Sequence, residues 1–164
     1  PKKGFDTLLK MSCEMGIDIV QPLSSQRRIS KQDGEAKFCR WNSILREGVE
    51  QSERLWQPEL RRTRSIADWI LDLPSMSQIS FAATRGKNSK ECQLWLDSIP
   101  NPTEQVWVII GPEGGWTDEE ESMANQAKCD FIRLGDTILA TSTAAVAATQ
   151  LMASWRRNKQ LLFD

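Results

Sequence analysis

The amino-acid sequence predicts an α/β fold in which a mostly parallel sheet is flanked by helices. Segments with strand-like patterns alternate with segments whose apolar residues recur at helical spacing, which is typical of this fold class. The run VWVII at residues 106–110 is apolar throughout, as expected of a central parallel strand covered on both faces. The 164 residues contain no repeat and no long linker, so we expect one domain over residues 1–164.

Two helices and a short strand are predicted in the first third of the chain. Asp6 is the candidate N-cap of the first helix, and Gly16 is expected to end it. The segment IDIV, residues 17–20, is expected to form a strand, and a polar, basic loop follows at residues 24–34. A long helix is predicted from Glu35 to about Trp56, because apolar residues recur there every three or four positions. The positions with this spacing are Phe38, Trp41, Leu45, Val49, Ser52 and Trp56, all apolar except Ser52.

Helices and strands are predicted to alternate along the remainder of the chain. Ser65 is a candidate cap for a short helix over residues 65–73. Thr117 and Glu120 form the pattern of a capping box, which predicts a helix to about Lys128. Thr141 or Thr143 is expected to open a final, alanine-rich helix. The other predicted elements are strands at residues 78–84, 106–110 and 131–134 and a helix at residues 90–99.

Composition excludes several classes of protein. No apolar run reaches the roughly 18 residues of a membrane helix and no signal peptide is visible, so a cytoplasmic protein is expected. Histidine is absent, which removes the usual general base and the commonest transition-metal ligand, and no metal is expected. The four cysteines are far apart and form no CxxC pair, which favours free, mostly buried thiols. They are Cys13, Cys39, Cys92 and Cys129.

A glycine-rich loop, GPEGG at residues 111–115, follows the apolar strand directly. In parallel sheets ligands bind beyond the carboxyl ends of the strands, and glycines there let the backbone approach a ligand closely. The loop lacks the lysine and hydroxyl of a phosphate-binding loop, and the acidic run 118–121 that follows would repel a phosphate. The loop therefore suits an uncharged or cationic ligand, and the alternative is a tight turn that binds nothing.

A second strand end, turn and helix start lies in LGDTILATSTAA at residues 134–145. Together with GPEGGW and its acidic continuation, this segment resembles the SPOUT class of S-adenosylmethionine-dependent methyltransferases. Within that class the chain is most similar to the small-subunit ribosomal RNA uridine-N3-methyltransferases, the RsmE family. CEMGIDIVQP at residues 13–22 and RWNSILREGVEQSERLWQPEL at residues 40–60 also match segments of that family.

The resemblance implies a fold, a cofactor and a set of cofactor-binding residues. The implied fold threads the C-terminal segment through a preceding loop to make a deep trefoil knot, an exception to the rule that folds are unknotted. The implied cofactor is S-adenosyl-L-methionine, surrounded by main-chain groups of both glycine loops. The implied binding residues are Ala83, Ile110, Gly111, Pro112, Glu113, Gly114, Gly115, Leu134, Gly135, Ile138, Leu139, Ala140, Thr141, Thr143 and Ala144.

The implied reaction transfers a methyl group to N3 of a uridine in 16S ribosomal RNA. It requires removal of the imino proton, and Glu113 and Arg54 are the candidate catalytic residues, as a base and as a group that stabilises the anion. Ala140 and Ser142 stand where the family usually has arginine and glutamate. This departure leaves open a non-catalytic relative that binds RNA and cofactor, and a sibling enzyme acting on ribose 2′-OH or on transfer RNA is a further alternative.

The resemblance also implies partners beyond the cofactor. Family members carry an N-terminal PUA-like barrel that helps to bind RNA, and the chain is expected to lack it. SPOUT domains generally form homodimers, and seven tryptophans in one small domain suggest apolar surface that a monomer would expose. The net charge is −1 and the basic stretches, Arg27–Arg28 and residues 61–64, are short, so we expect the domain alone to attract RNA weakly.

Overall fold

The computed structural model describes residues 2–25, 34–73, 77–83, 89–100 and 105–161. Within them helices and short strands alternate, as the sequence predicts. The helices are α1 (Lys2–Met15), α2 (Glu35–Gln51), α3 (Ile66–Leu71), α4 (Cys92–Asp97), α5 (Asp118–Gln126) and α6 (Thr141–Gln160). The strands are β1 (Ile19–Val20), β2 (Leu23–Ser24), β3 (Glu59–Leu60), β4 (Arg64–Ser65), β5 (Ser77–Ala82), β6 (Lys90–Glu91), β7 (Gln105–Ile110) and β8 (Asp130–Arg133).

The strands form one four-stranded sheet and two short ladders, and every pairing is parallel. The order in the larger sheet is β6-β8-β5-β7, and β1 pairs with β3 and β2 with β4. The sequence predicted that residues 106–110 form a central strand. This prediction is wrong, because among the described strands β7 pairs only with β5 and lies at the edge of the sheet. The apolar run is explained by burial on both faces of the strand, which was predicted.

Two apolar clusters cover the two faces of the larger sheet. Trp107 and Ile109 of β7 pack on one side in a cluster with residues of α3 and α5. Val106 and Val108, which alternate with them, pack on the other side against a cluster built from α4 and α6. A third cluster joins α1, α2 and β3. This arrangement is a sheet between two layers of helices, as the α/β prediction requires.

The bounds of the first two helices differ from the prediction. Helix α1 has already begun at Lys2, so Asp6 lies inside it, does not cap it, and forms an ion pair with Arg40. Gly16 ends α1 as expected, with φ +104°. Helix α2 ends at Gln51, well before Trp56, because Glu53 takes a left-handed φ of 54° that breaks the helical path.

The predicted caps of the later helices are confirmed. Ser65 accepts a hydrogen bond from the Asp68 amide at the start of α3. Thr117 and Glu120 form both bonds of the capping box at the start of α5, and this geometry satisfies amides that no helical carbonyl can reach. Helix α6 begins at Thr141, one of the two predicted positions.

The basic and apolar surface residues depart from the expectations in two ways. Arg61, Arg62 and Arg64 each form an ion pair with a carboxylate, while Arg27–Arg28 and most of the predicted loop at 24–34 lie outside the described residues. Six of the seven tryptophans are buried and only Trp56 is exposed, so the tryptophans give no argument for an uncovered surface. No described helix is both long and apolar enough to cross a membrane.

Candidate functional site

Three neighbouring strands of the larger sheet end level with one another. Ala82 of β5 lies opposite Ile110 of β7 on one side and opposite Ile132 of β8 on the other. Because the strands are parallel, the segments after them leave the sheet at the same edge. The predicted site residues Ala83, Gly111 and the 134–141 segment therefore meet at this carboxyl edge, which we call the loop edge.

Trp116 joins two of these strand ends. Its indole Nε1 donates a hydrogen bond of 3.0 Å to the carbonyl of Ala82, the last residue of β5. Its ring packs against Gly111, where an added Cβ would lie 3.1 Å from the ring. This distance is tighter than ordinary van der Waals contact, so glycine at position 111 and tryptophan at position 116 fit as a pair. The sequence motif included Trp116 only as the aromatic residue after the glycines. Its contacts with Ala82 and Gly111 could be found only from the structure.

Thr141 joins the second loop to the first. Its Oγ1 donates a hydrogen bond of 3.0 Å to the carbonyl of Gly111, and its backbone opens α6. One turn later Ala144 is buried at 8% exposure, with its amide bonded to the Ala140 carbonyl. The two predicted loops are therefore held together by a side chain at the first residue of the last helix.

The parts of the loops farthest from the sheet are open to solvent. Glu113 and Gly114 are exposed, as are Gly135 and Ala140, and Ile138 is 63% exposed. Among the glycines, Gly115 and Gly135 take left-handed φ angles of 71° and 118°, which favour glycine at both positions. Backbone groups and the apolar side chain of Ile138 thus line the open side of the loop edge.

The charge of the loops is negative. Neither residues 111–117 nor residues 134–141 contain a lysine or arginine, whereas Glu113 and Asp136 carry exposed carboxylates. The carboxylate of Glu120 is buried and bonded to the Thr117 amide, so it shapes the start of α5. An open, glycine-lined and acidic edge fits a ligand with an apolar part and a positive charge, and it disfavours a phosphate.

The structure does not bring Arg54 to this edge. The Arg54 guanidinium donates to the carbonyls of Cys13 and Ile17, at the end of α1 and before β1, and lies 3.9 Å from Asp18. The length of α6 gives the distance between Arg54 and the loop edge. Its first residue, Thr141, bonds to Gly111 at that edge, whereas Arg156, near its other end, pairs with Asp18 beside Arg54. The two contacts are fifteen residue steps apart along α6, which is about 22 Å. Arg54 therefore lies far from the loop edge that carries Glu113.

The described cysteines and acidic residues were compared with the ligand sets that metals require. No group of three or more potential ligands occurs within the described ranges. The four cysteines are free, and Cys39 is exposed while the other three are buried. Burial and the neighbouring Glu91 carboxylate raise the pKa of the Cys92 thiol to about 12, so it stays protonated at neutral pH. The described residues of the site thus offer backbone groups, hydroxyls and carboxylates.

Comparison with known proteins identifies the family. The model of the RNA methyltransferase domain matches residues 1–153. The chain belongs to this family. A curated member, the ribosomal RNA small subunit methyltransferase E of Synechocystis, is 31% identical over 151 residues, which are 92% of this chain and 49% of that protein. The protein of the same name from Mesomycoplasma hyopneumoniae is 28% identical over 88% of this chain and 61% of its own.

Solved structures of the family have the same fold. The ribosomal RNA small subunit methyltransferase E of Neisseria gonorrhoeae, bound to S-adenosyl methionine, superposes with a TM-score of 0.81 at 30% identity and covers 93% of this chain and 61% of its own. A Legionella pneumophila protein in complex with the same cofactor has a TM-score of 0.79 at 27% identity, over 92% of this chain and 61% of its own. The chain thus spans about half to two thirds of the length of its relatives.

Proposed function

We propose that the chain is the catalytic domain of an S-adenosyl-L-methionine-dependent methyltransferase that modifies N3 of a uridine in 16S ribosomal RNA. The observation that carries the proposal is the loop edge, where Thr141 and Trp116 tie three strand ends into one glycine-lined site. Membership of the RNA methyltransferase domain family and the relatives solved with the cofactor support the assignment of the ligand.

The residues at the loop edge fit this cofactor chemically. Residues 111–115 and 134–141 would surround adenine and ribose with main-chain groups, and Ile138 and Leu139 offer apolar contact. The carboxylate of Glu113 and the absence of lysine or arginine in both loops suit a positively charged sulfonium. Gly135 takes φ +118° with nothing within 4 Å of an added Cβ, so open space adjoins the backbone there.

The proposed chemistry needs a base and an aligned acceptor. When bound, S-adenosylmethionine supplies an electrophilic methyl group on sulfur. Glu113, exposed at the loop edge, is the candidate to accept the uridine N3 proton and to keep it on its carboxylate. The N3 anion would then form the new bond to the methyl carbon while the carbon–sulfur bond breaks and S-adenosylhomocysteine leaves. Fixing the nitrogen in line with the methyl group supplies much of the rate through proximity. Arg54 is assigned no part in this step within one protomer, because about 22 Å separates it from the edge.

Two further features of the family are part of the proposal. A trefoil knot would place the threaded C-terminal segment at the loop edge, and the hydrogen bond from Thr141 to the Gly111 carbonyl is compatible with that path. A homodimer would cover apolar side chains that the protomer leaves exposed, which include Leu55, Leu71 and Leu94. Arg54 of a second protomer could then complete the site only if the dimer brings it to this edge.

A second candidate function is a non-catalytic relative that binds cofactor and RNA. It is favoured by Ala140, which lies exposed at the loop edge immediately before α6 and provides no charge for substrate or cofactor. A differently targeted enzyme, acting on ribose 2′-OH or on transfer RNA, would keep the same cofactor site. Measuring cofactor binding and methyl transfer on the same protein distinguishes these alternatives. A non-catalytic relative binds the cofactor without transfer, and a differently targeted enzyme methylates another nucleotide or another RNA.

The test combines calorimetry with a transfer assay. We expect S-adenosylmethionine to bind the chain, and the Gly111→Val variant to lose binding because the added side chain meets the Trp116 ring. The Gly4→Val variant is the control, since nothing lies within 4 Å of its added Cβ. Methyl transfer from labelled cofactor to small subunits, followed by mass spectrometry of nucleosides, then identifies the product. Absence of cofactor binding would refute the proposal. If the cofactor binds but no methyl group is transferred, even after the unmatched part of the Synechocystis relative is joined to the chain, the non-catalytic relative is favoured.

A further inference from the structure

One large aromatic side chain is held outward on the loop between α2 and β3. Trp56 is 57% exposed, whereas the other six tryptophans are buried. The loop, residues 52–58, contains Arg54 and therefore lies about 22 Å from the loop edge within one protomer. We call it the Trp56 loop. Its exposed ring takes no part in the proposed cofactor site.

The Trp56 loop is anchored at both ends. The amide and the hydroxyl of Ser52 both donate to the Gly48 carbonyl in the last turn of α2. At the other end, the Gln57 side chain donates to the Asn42 side-chain oxygen, and Pro58 is buried. A ring on an anchored loop loses little conformational freedom when a ligand packs against it, which favours binding.

A surplus of positive charge lies beside the ring. The Cζ atom of Arg54 is 5.8 Å from the centre of the Trp56 ring, and one of its terminal nitrogens is 3.9 Å from the Asp18 carboxylate. Arg156 of α6 forms an ion pair with the other oxygen of the same carboxylate. Because two guanidinium groups share one carboxylate, their positive charge is only partly neutralised.

The last turn of α6 adds further cations. Lys159 follows Arg156 by three residues, so both lie on one face of the helix, and Arg157 is exposed. Neither Arg157 nor Lys159 forms an ion pair with a described residue. The Trp56 loop, the ion pairs that join it to α6, and this last turn therefore hold more cations than carboxylates. The cations are Arg54, Arg156, Arg157 and Lys159, and the carboxylates are Asp18 and Glu53.

An exposed aromatic ring beside unpaired cations is a combination by which proteins bind single-stranded nucleic acid. Each base has a flat face that stacks on an aromatic side chain, while the phosphates contact the cations. A duplex keeps its base faces stacked within the helix, so only a strand with unpaired bases can use the ring. A protein that covered the ring would have to supply carboxylates or remove water from unpaired charges. The ring and the charge together favour a single strand.

We propose that the Trp56 loop binds single-stranded RNA, with one unpaired base stacked on Trp56 and neighbouring phosphates at Arg157 and Lys159. The inference rests on the proposed function, which makes RNA the nucleic acid that this chain meets. The site holds nucleotides other than the methylated uridine, because the loop edge is about 22 Å away. Such a contact would help to set the register of the substrate on the domain.

Affinity for RNA tests the stacking contact. A fluorescein-labelled single-stranded RNA oligonucleotide of mixed sequence is titrated with the chain at low salt, without cofactor, and anisotropy gives the affinity. We expect Trp56→Leu to bind on the order of tenfold more weakly, because one base loses its stacking partner. Trp56→Phe keeps an aromatic ring and should retain most of the affinity. Leu94→Ala, at a residue of α4 that is 67% exposed, is the control. Equal affinities for the parent and Trp56→Leu would overturn the proposal.

The salt dependence of binding tests the phosphate contacts. Lys159→Gln should lower the slope of log affinity against log salt by about 0.7, the value for one phosphate contact on a single strand. Lys90→Gln, on β6 at the other side of the larger sheet, should keep the slope of the parent. Inorganic polyphosphate has no bases, so it should bind the parent and Trp56→Leu equally. A loss of polyphosphate binding in Trp56→Leu would show that the ring does not act by stacking and would overturn the proposal.

Quenching of Trp56 fluorescence by acrylamide identifies other occupants. RNA should protect the ring in the parent. Protection without RNA that rises with protein concentration would assign the loop to a second copy. Protection without RNA in a chimera that carries the unmatched part of the Synechocystis relative would assign it to that polypeptide, and either result would overturn the proposal.

Calorimetry with S-adenosylmethionine separates this inference from the proposed function. Trp56→Leu should bind the cofactor as the parent does. If the cofactor binds normally but RNA affinity does not depend on Trp56, only the present inference fails. If the parent binds RNA through Trp56 but does not bind the cofactor, the RNA site stands and the proposed function fails. Circular dichroism establishes that each variant is folded.

Discussion

At the scale of single residues, the loop edge depends on a few contacts that fix one backbone relative to another. Gly111 leaves room for the Trp116 ring, Trp116 holds the Ala82 carbonyl, and Thr141 holds the Gly111 carbonyl. The sequence motif predicted that these positions belong to one site, but it could not predict their partners. The partners in the two hydrogen bonds lie 34 and 30 positions apart in the chain, and only the sheet order brings them together.

Removing the Thr141 hydroxyl should loosen the loop edge. In Thr141→Val the shape is kept but the bond to the Gly111 carbonyl is lost, which costs about 0.5–1.5 kcal/mol when the acceptor can still reach water. We expect the affinity for S-adenosylmethionine, measured by calorimetry, to fall about two- to tenfold. Thr141→Ser keeps the hydroxyl and should bind as the parent does. An unchanged affinity in the valine variant would mean that this contact does not organise the site.

The buried thiol of Cys92 should make stability depend on alkaline pH. Burial and the Glu91 carboxylate raise its pKa from 9.0 to about 12 in the folded chain, so the folded state holds the proton more tightly than the unfolded state. The free energy of unfolding should therefore fall between about pH 9 and pH 12, by up to about 1.4 kcal/mol per pH unit for this group. Urea unfolding at several pH values measures the slope.

Two variants test whether Cys92 causes the decrease in the free energy of unfolding with pH. Cys92→Ala should have a shallower decrease above about pH 9, although burial likewise raises the pKa of Cys129, to about 11, and will leave part of the effect. Cys39→Ser, at an exposed position, should reproduce the slope of the parent. Identical slopes for the parent and Cys92→Ala would contradict the prediction.

At the scale of the elements, Arg54 connects the end of α1 to the segment that leads into β1. It donates to the Cys13 and Ile17 carbonyls and is only 11% exposed. Arg54→Met should remove the bonds to both carbonyls, of which Cys13 keeps the one from the Gly16 amide. We expect the free energy of unfolding to fall by about 1–3 kcal/mol. Cofactor affinity should be unchanged, because the loop edge is about 22 Å away. Thermal unfolding and calorimetry on the same samples measure both quantities.

The outcome also tests the catalytic role that the sequence predicts for Arg54. Arg46→Met, at an exposed position of α2, is the control for loss of a positive charge. Methyl transfer is measured in a chimera that carries the unmatched part of the Synechocystis relative. If Arg54→Met keeps its stability there but loses methyl transfer, Arg54 acts at an active site. A dimer that brings Arg54 to the loop edge would then be required. If stability falls and transfer per folded molecule persists, its role is to hold α1 and β1.

Sequence reasoning succeeded where local chemistry determines an element. The caps at Ser65 and Thr117 were predictable, because a side chain near the helix start satisfies amides within three residues. The start of α1 and the end of α2 were not. Asp6 is a reasonable cap by residue type, but its carboxylate pairs with Arg40 on another helix, and Trp56 continues the apolar spacing beyond the point where Glu53 leaves the helix.

At the scale of the whole molecule, strand order was the part that sequence could not provide. The apolar pattern of residues 106–110 correctly predicted a strand covered on both faces, but it cannot distinguish a central strand from one at the edge of the sheet. The distinction depends on which segments lie beside β7, and these come from distant parts of the chain.

Methyl transfer to RNA should require polypeptide beyond this chain. The net charge is −1, and the three arginines of the described basic stretch, Arg61, Arg62 and Arg64, are each paired with a carboxylate, which weakens their attraction for phosphates. Since each lost phosphate contact lowers affinity steeply at physiological salt, we expect the chain to bind S-adenosylmethionine but to methylate small subunits poorly. A chimera that carries the unmatched half of the Synechocystis relative should transfer methyl groups on the order of tenfold faster or more and show a steeper salt dependence. Single-turnover transfer at two salt concentrations measures both, with the Glu113→Gln chimera as the inactive control. Equal rates and equal salt slopes for chain and chimera would mean that this domain positions the RNA by itself.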